Sequence, residues 1–535
     1  MHSPRTGRTY LFFTVFVAGM STLAVEFTTS RMLQTVYGTS NIVWANVIGL
    51  VLLFLTMGYF LGGRLADRRP DASLFYGLVS LAGFSSAFFL LLTSVILRTA
   101  ASALAAVNVN AILSSLAGVV LALALPVTLL GCISPFAIRL AVREVGEAGR
   151  ISGRIYAVST WGSLLGTYLP VLVTIPLAGS RLTAVIFGVL LLLVGLAGLW
   201  RTRRRAGMAA LLLSLVLVPV ILAWTQGNIK AYDGQLFETE SAYNYIQVVR
   251  QGECNYLLLN EGQAFHSFYC DGGYVPRVSV WSIMLAAPYF KDPAVVGAMR
   301  DTRQRSPVQR LAVVGLAGGT IAKQYTRVFG PISIDGIELD PAIVQVGQKY
   351  FDLNEANIRI IVGDGRYQLN QLAGRYEVIT LDAYKVPYIP WHLTTREFFR
   401  EVKGRLSEEG VLAINVGRAP EDRRLVDAIT ATLLEVYPAV HAIDVPGALN
   451  TILVATVQPT TADNLLLNLA QLDENADPLL RAALQTAADN LVPAVAGDVI
   501  FTDERAPVET IVDSLVIRYL LREGVAGLPG LEIGP

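Results

Sequence analysis

Lysine is missing from the first 226 residues of this 535-residue chain, and acids are almost missing. Glu26, Asp67, Asp71, Glu144 and Glu147 are the only five there, against sixteen arginines, which leaves that stretch at about +11. The remainder carries 26 basic and 37 acidic groups, about −11, so the formal neutrality is a cancellation of two opposite halves. Charge is scarce overall, 16% of residues, where an ordinary soluble protein has roughly 25%. Three cysteines and four histidines are few, and no spacing among them suggests a metal site. The acidic second half lacks the clustered lysine and arginine that neutralise phosphates, which argues against nucleic acid as a partner. There is no internal repeat and no low-complexity run.

What the first part does have is apolar length. Seven segments can be drawn, at about 10–30, 42–63, 73–97, 112–135, 155–178, 182–200 and 208–225. Most approach the ~20 residues that cross ~30 Å of hydrocarbon. They predict a transmembrane domain over 1–226 of about seven helices, embedded in a lipid bilayer as a multi-pass protein of the cell (inner) membrane. The first segment is too long for a signal peptide, has no small-residue cleavage site and is followed by further apolar segments. The last two are the shortest and also fit one re-entrant pair.

Arginine falls mainly at the N-terminus and in alternate loops (Arg64, Arg68 and Arg69; Arg139, Arg143, Arg150 and Arg154; Arg201 and Arg203 to Arg205). This bias puts the N-terminus in the cytoplasm. Seven spans then carry the second half outside; if one segment does not span, the second half lies inside. Glu26 falls within the first apolar segment, where a carboxylate is costly and calls for a partner facing the bundle interior. Arg31, Thr28 and Thr29 are candidates for that pairing, and a place lining a polar path is the alternative.

Past Gly227 the periodicity changes. Residues 227–300 read as a β-hairpin module, with YIQVVR, NYLLLN and QAFHSFYC as strands. If the second turn centres on Gly262, Cys254 and Cys270 face each other across neighbouring strands. Facing residues lie at distances a disulfide bridges, and disulfides persist in oxidising compartments. Two unrelated buried thiols are the bland alternative. Over 301–460 apolar strands alternate with helix-length segments, which predicts a Rossmann-like α/β domain with a doubly wound parallel sheet. The strands are expected at 311–315, 332–338, 358–362, 377–382, 411–416 and 451–456. Residues 461–535 read as a C-terminal helical extension with an acidic loop, FTDERAPVE.

In such sheets ligands sit beyond the carboxyl ends of the strands. The first strand runs into Gly315, Leu316, Ala317, Gly318 and Gly319, whose small residues let a ligand approach backbone and helix N-terminus. The second ends at Glu338, about 20 residues on, where an acid can accept from ribose hydroxyls. The third ends in Gly363, Asp364 and Gly365, where a carboxylate can receive an exocyclic adenine amine. The fourth ends in Asp382, at the lip where a reacting group lies. Solvated turn acids and helix caps are the competing explanation for each residue singly.

Taken together these residues resemble the spermidine synthase (polyamine aminopropyltransferase) family, a branch of the methyltransferase-like Rossmann group. The likeness covers roughly 235–420, and the apolar segments resemble the membrane domain fused to such synthases in some bacteria. The resemblance implies that Glu338 holds ribose, Asp364 contacts adenine, Asp382 is the catalytic base, and Gln263 lines the site from the hairpin. Gly315, Gly318 and Gly365 then border the nucleoside, and Tyr243, Tyr384 and Lys385 the second substrate. The implied substrate is S-adenosylmethionine or its decarboxylated form, with no metal, and a homodimer is an open option.

The departures matter as much. Ala317 and Lys385 stand where the family has acids that grip the aminopropyl arm and the polyamine, and Val280, Trp281 and Ser282 stand at its Tyr-His-Glu run. A lysine repels a dicationic acceptor and suits a carboxylate, which favours intact S-adenosylmethionine; a solvent-facing loop lysine is the alternative. Tyr384, Tyr388, Trp391 and His392 either wall a sulfonium pocket or pack an active-site flap. A lyase or a methyltransferase using the same compound is the alternative enzyme. A transporter or sensor with a nucleoside- or polyamine-binding domain is the alternative without turnover.

Overall fold

A computed structural model describes residues 4–37, 41–88, 111–224, 232–260, 265–273, 278–301, 307–384 and 389–523. Internal contacts divide the chain into two units: Met1–Tyr232 with Glu238–Tyr245, and Asp233–Phe237 with Ile246–Pro535. Beyond residue 460, Leu465, Leu479, Leu480 and Leu484 are buried in the same core as the sheet.

The first unit is helical: α1 Pro4–Tyr37, α2 Asn41–Arg68, α3 Ala72–Phe88, α4 Ala111–Ala141, α5 Ala148–Leu169, α6 Ile175–Thr202 and α7 Arg204–Trp224. Among the described residues, four stretches are by length and composition apolar enough to cross a membrane: Gly7–Met32, Ala45–Arg68, Ala122–Ala141 and Val145–Thr202. The last spans 58 residues and takes in α5, a π turn over Pro170–Thr174 and α6. It breaks at Gly179, whose φ of 77° and ψ of 167° are not helical. The segment expected at 73–97 is described only to Phe88.

Small residues set the spacing of these helices. A Cβ on Gly19 would overlap the Ser159 carbonyl, and one on Gly162 or Gly166 the backbone of Phe16 or Met20, so α1 and α5 touch backbone to backbone. Gly58 and Gly62 meet Gly131 and Cys132 in the same way, joining α2 to α4. Contact through glycine is how helices associate where surrounding lipid removes the hydrophobic driving force. Leu52, Leu53, Phe60, Trp161 and Leu172 face outward and are exposed.

Near the start of α1 lie the ion pairs Arg8–Glu147 and Arg150–Glu147; Arg139–Asp67 and Arg203–Asp71 join the other arginine-bearing helix ends. Arg31, 23 residues further along α1, donates instead to the carbonyls of Ser241 and Ala242. The Glu240 carboxylate accepts from the Ser180 N–H at 2.5 Å, just past the Gly179 break. Of the partners expected for Glu26, Thr28 donates to the Ala24 carbonyl at 2.7 Å and Arg31 reaches the Ser241 segment, while the buried Thr29 hydroxyl has no hydrogen-bond partner among the described residues.

After the helices comes a four-stranded antiparallel meander, β1 Gln235–Glu240, β2 Tyr245–Gln251, β3 Cys254–Leu259 and β4 Phe265–Cys270. Cys254 pairs with Cys270 in register and the two form a disulfide, with Cα atoms 4.0 Å apart. Two helices follow, α8 Val280–Ile283, continued as a 3-10 turn over Met284–Phe290, and α9 Pro293–Asp301.

The main sheet is built from β5 Arg310–Val314, β6 Ser333–Glu338, β7 Ile358–Val362, β8 Tyr376–Leu381, β9 Leu406–Gly417, β10 Ala439–Asp444, β11 Asn450–Thr456 and β12 Leu491–Val492. Their spatial order is 12-10-11-9-8-5-6-7. Strands 9-8-5-6-7 are parallel, as expected. The strand expected at 451–456 exists but runs antiparallel, and β10 and β12, which extend that edge, were not foreseen. Along β5 the side chains alternate: Leu311 and Val313 enter the core with Tyr325 and α16 Pro478–Asp489, Ala312 and Val314 the opposite one with Phe399 and Ile429. That period of two, apolar on both faces, is what a sheet covered on both sides demands.

Candidate active site

The parallel order reverses between β5 and β8, and the carboxyl ends of those two strands abut. Gly315, just past β5, has φ 92°, and a Cβ there would overlap the Asp382 carbonyl, so only glycine fits. The Asp382 N–H donates to the Val314 carbonyl at 2.9 Å. The glycine turn and the fourth strand's acid are thus pressed together where such sheets bind ligands.

Each carboxylate oxygen of Asp382 accepts from a neutral side chain. Trp281 Nε1 donates to Oδ2 at 2.8 Å and Asn415 Nδ2 to Oδ1 at 2.8 Å. Asn415 is held by Asn450, whose Nδ2 donates to its Oδ1 at 2.9 Å, and its carbonyl accepts from the Tyr384 hydroxyl at 3.0 Å. A little of the Asp382 surface stays open, but protein encloses the carboxyl. Burial pushes its pKa above the usual aspartate range, and the Asn415 and Trp281 hydrogen bonds hold back part of that rise. Burial also pushes Tyr384 up, with the Asp382 charge adding to it. A base of raised basicity, held in one orientation by uncharged donors, is what this arrangement supplies.

Glu338, at the end of β6, is 8% exposed. Oε2 accepts from the Ala317 N–H at 2.9 Å and Oε1 from the Asp340 N–H at 3.0 Å, so it ties the glycine turn to its own strand end. Burial raises its pKa, and those backbone hydrogen bonds oppose the rise. A carboxylate has about four lone-pair positions, and positions remain for a ribose hydroxyl. Ala317 takes a φ of 48°, and its methyl stands where the resemblance expects an acid.

Asp364 caps α12 Gly365–Gln371 by accepting from the Tyr367 N–H at 3.0 Å. Its other oxygen lies 2.9 Å from His392 Nε2. Gly365 packs on Val314 of β5, where a Cβ would overlap.

Gly318 also joins the turn to the hairpin module. Its N–H donates to Ser267 Oγ at 2.8 Å, and a Cβ would crowd Ser267 and Phe351. Thr320, which opens α10 Thr320–Phe329, both donates to the Phe268 carbonyl and accepts from its N–H. The β4 strand is therefore stitched to the glycine turn. Tyr243 is half exposed in a turn held by Ser241 and groups with the helical unit. Gln263, Lys385 and Tyr388 lie outside the described residues.

The structure adds residues that sequence reasoning passed over. Trp281 had signalled itself only as the oddity in the family's Tyr-His-Glu slot. Asn415 and Asn450 gave no signal, being single polar residues in apolar strands. Arg366, beside Asp364, donates to both oxygens of Asp503 at 2.8 and 2.9 Å and to Glu401 at 2.5 Å, so the acidic C-terminal loop reaches the Asp364 end of the site. A cavity of about 550 Å³ lies beside Arg418, Asp444 and Leu449; its lining includes none of the three acids.

Residues 303–465 match the family model described as the spermine/spermidine synthase domain. The domain is spermidine synthase-like. A segment of 142 residues, 26% of this chain, is 33% identical to the polyamine aminopropyltransferase of Vibrio vulnificus and covers 46% of it. A longer one of 222 residues, 40% of this chain, is 27% identical to the probable polyamine aminopropyl transferase of Bifidobacterium longum and covers 45% of it. The eEF1A lysine and N-terminal methyltransferase of Mus musculus is 29% identical over 160 residues, 28% of this chain and 23% of that protein. The chain spans less than half the length of each of these curated relatives. Within the spermidine synthase-like domain, β5 to β9 and the turns that follow them carry Glu338, Asp364, Asp382 and Asn415, all inside the matched range.

Proposed function

We propose that this protein is a membrane-anchored transferase of the polyamine aminopropyltransferase type. Its substrate is an adenosyl sulfonium compound, S-adenosylmethionine or its decarboxylated form, and the acceptor is an amine. The acceptor nitrogen attacks the sulfonium-bound methylene of the amino acid-derived arm. A carbon–nitrogen bond forms, the carbon–sulfur bond breaks with its electron pair going to sulfur, and methylthioadenosine leaves. Asp382 takes the proton that the nitrogen sheds. The observation that carries this reading is the enclosed Asp382 carboxylate, clamped by Trp281 and Asn415 against the glycine turn. Positioning and a well-matched base together account for rate accelerations of this kind.

Ala317, where the resemblance expects an arm-binding acid, favours an arm that keeps its carboxylate. The test is incubation with each sulfonium compound, with and without putrescine, and mass spectrometry of the nucleoside. Methylthioadenosine supports arm transfer. Methylthioadenosine from S-adenosylmethionine with no acceptor marks a lyase. S-adenosylhomocysteine marks methyl transfer, the second reading, which the likeness to the murine methyltransferase favours.

We also propose that the helical unit spans the bilayer and that the catalytic domain is extracytoplasmic. Between Arg8 and Arg31 the 23-residue climb of α1 rises roughly 35 Å, enough to cross the ~30 Å hydrocarbon core. The ion-paired arginines gather toward the Arg8 end, which the arginine bias assigns to the cytoplasm. The Ser241 segment, which leads into β2, is tied to Arg31 at the other end. The Cys254–Cys270 disulfide agrees with an oxidising compartment.

A further inference from the structure

Asp364 makes two contacts that fix its plane. One oxygen is spent on the Tyr367 N–H that starts α12, and the other meets His392 Nε2 at 2.9 Å. An ionised carboxylate has no proton to give, so the imidazole must be the donor, and a neutral His392 is then protonated at Nε2. His392 lies on a short 3-10 turn, Trp391–Leu393, and that turn is itself pinned. Arg366, two residues past Asp364, donates to the His392 carbonyl at 3.3 Å while gripping Glu401 and Asp503. Thr395 donates to Asp503 at 2.6 Å from the other side of the turn. The imidazole is therefore fastened at its ring and at its backbone.

The proposed reaction does not use this histidine. Asp382 has its own donors, and no contact joins His392 to them among the described residues. What His392 does touch is the one acid at an adenine-reading position. A carboxylate capped by a single N–H still turns about its last torsion. A carboxylate held at both oxygens presents its remaining lone pairs in fixed directions, and fixed acceptors recognise an exocyclic amine better than mobile ones.

We infer that His392 is a specificity-determining positioning residue that aims Asp364 at the 6-amino group of the purine. This deepens the proposed function and rests on its nucleoside assignment. A 6-amino purine brings two hydrogens to this corner. A 6-oxo purine brings an acceptor to a fixed acceptor, and a site built to bond an amine rejects a ligand that leaves its polar groups unpaired. The corner is partly open, with Asp364 42% exposed, so water softens the penalty and discrimination of about 30-fold, rather than thousands, is expected.

The experiment is calorimetric binding of 5′-methylthioadenosine and 5′-methylthioinosine to the full-length protein and to H392A and H392Q. Wild type is expected to prefer the adenine compound about 30-fold, H392A to lose about tenfold of that preference, and H392Q, which keeps an N–H donor, to recover most of it. Melting temperature is recorded for all three. If H392A keeps the wild-type preference while affinities for both compounds fall together, His392 merely supports the turn and the inference is overturned. An H392Q protein no better than H392A overturns it as well. If wild type binds neither compound, the nucleoside reading itself has failed, which is a separate result.

Discussion

Replacing Trp281 by phenylalanine removes the N–H donor of the Asp382 clamp, together with part of the indole's volume, and keeps an aromatic ring beside Phe268, which lies 5.6 Å from the indole centre to centre. What disappears is the 2.8 Å donation to Oδ2. A hydrogen bond to a charged group is worth about 1.5–3 kcal/mol, and one pH unit corresponds to about 1.36 kcal/mol, so the full loss equals roughly one to two units. Water reaching the open side of the carboxyl restores part of it, which leaves about one unit. The sign follows from the charge. The bond stabilises the anion, so its loss raises the pKa of Asp382, which burial has already pushed above the usual aspartate value. The base acts only when ionised. The acid limb of kcat/KM therefore moves to higher pH by about one unit, while the plateau above it changes little. The same rise has a stability side: ionising this enclosed group costs folding energy, so its contribution is intact at low pH and is lost as pH climbs through the folded pKa. The assay is methylthioadenosine release followed from pH 4.5 to 9 for wild type and W281F. A limb that stays put, or moves to lower pH, refutes the clamp, and a uniform loss at every pH assigns Trp281 to packing alone.

Three further outcomes are expected. Asp382→Asn keeps methylthioadenosine affinity by calorimetry and lowers kcat about 10²–10⁴-fold; a smaller loss than tenfold would remove Asp382 as the base. Gly315→Ala combines a left-handed backbone with overlap on the Asp382 carbonyl and costs about 2–4 kcal/mol, read as a lowered melting temperature, and an unchanged one contradicts the abutment of β5 and β8. In intact cells, Cys254 and Cys270 take up an impermeant maleimide only after an impermeant reductant; labelling that waits for lysis puts the domain in the cytoplasm.

Much of this site was legible because each residue's role is local. Apolar strands that run straight into glycine or acid mark their own carboxyl ends, so the placing of Gly315, Glu338, Asp364 and Asp382 at strand ends could be read from one strand apiece. The cysteine pair was legible because hairpin register follows from a period of two. The clamp was not, since Trp281 lies 101 residues from Asp382 and Asn415 lies 33 away. Nothing local in VSVWSIM or LAINVG says that they converge. The antiparallel edge escaped for a related reason: direction belongs to a pair of strands, and AVHAID and TILVAT read the same either way. The approach of Gly318 to Ser267 was not legible either, because a glycine needed for close packing has the same signature as one needed for a ligand.

The disulfide closes a span of 16 residues, a cross-link worth about 3 kcal/mol by chain entropy. Cys270 terminates β4, the short strand whose Ser267 and Phe268 fasten the Gly318–Thr320 turn. A newly made chain with both thiols still reduced holds that strand less firmly, and the cradle it walls is correspondingly slack. If the proposed extracytoplasmic placement and transferase activity hold, activity is expected to appear only once the thiols are oxidised.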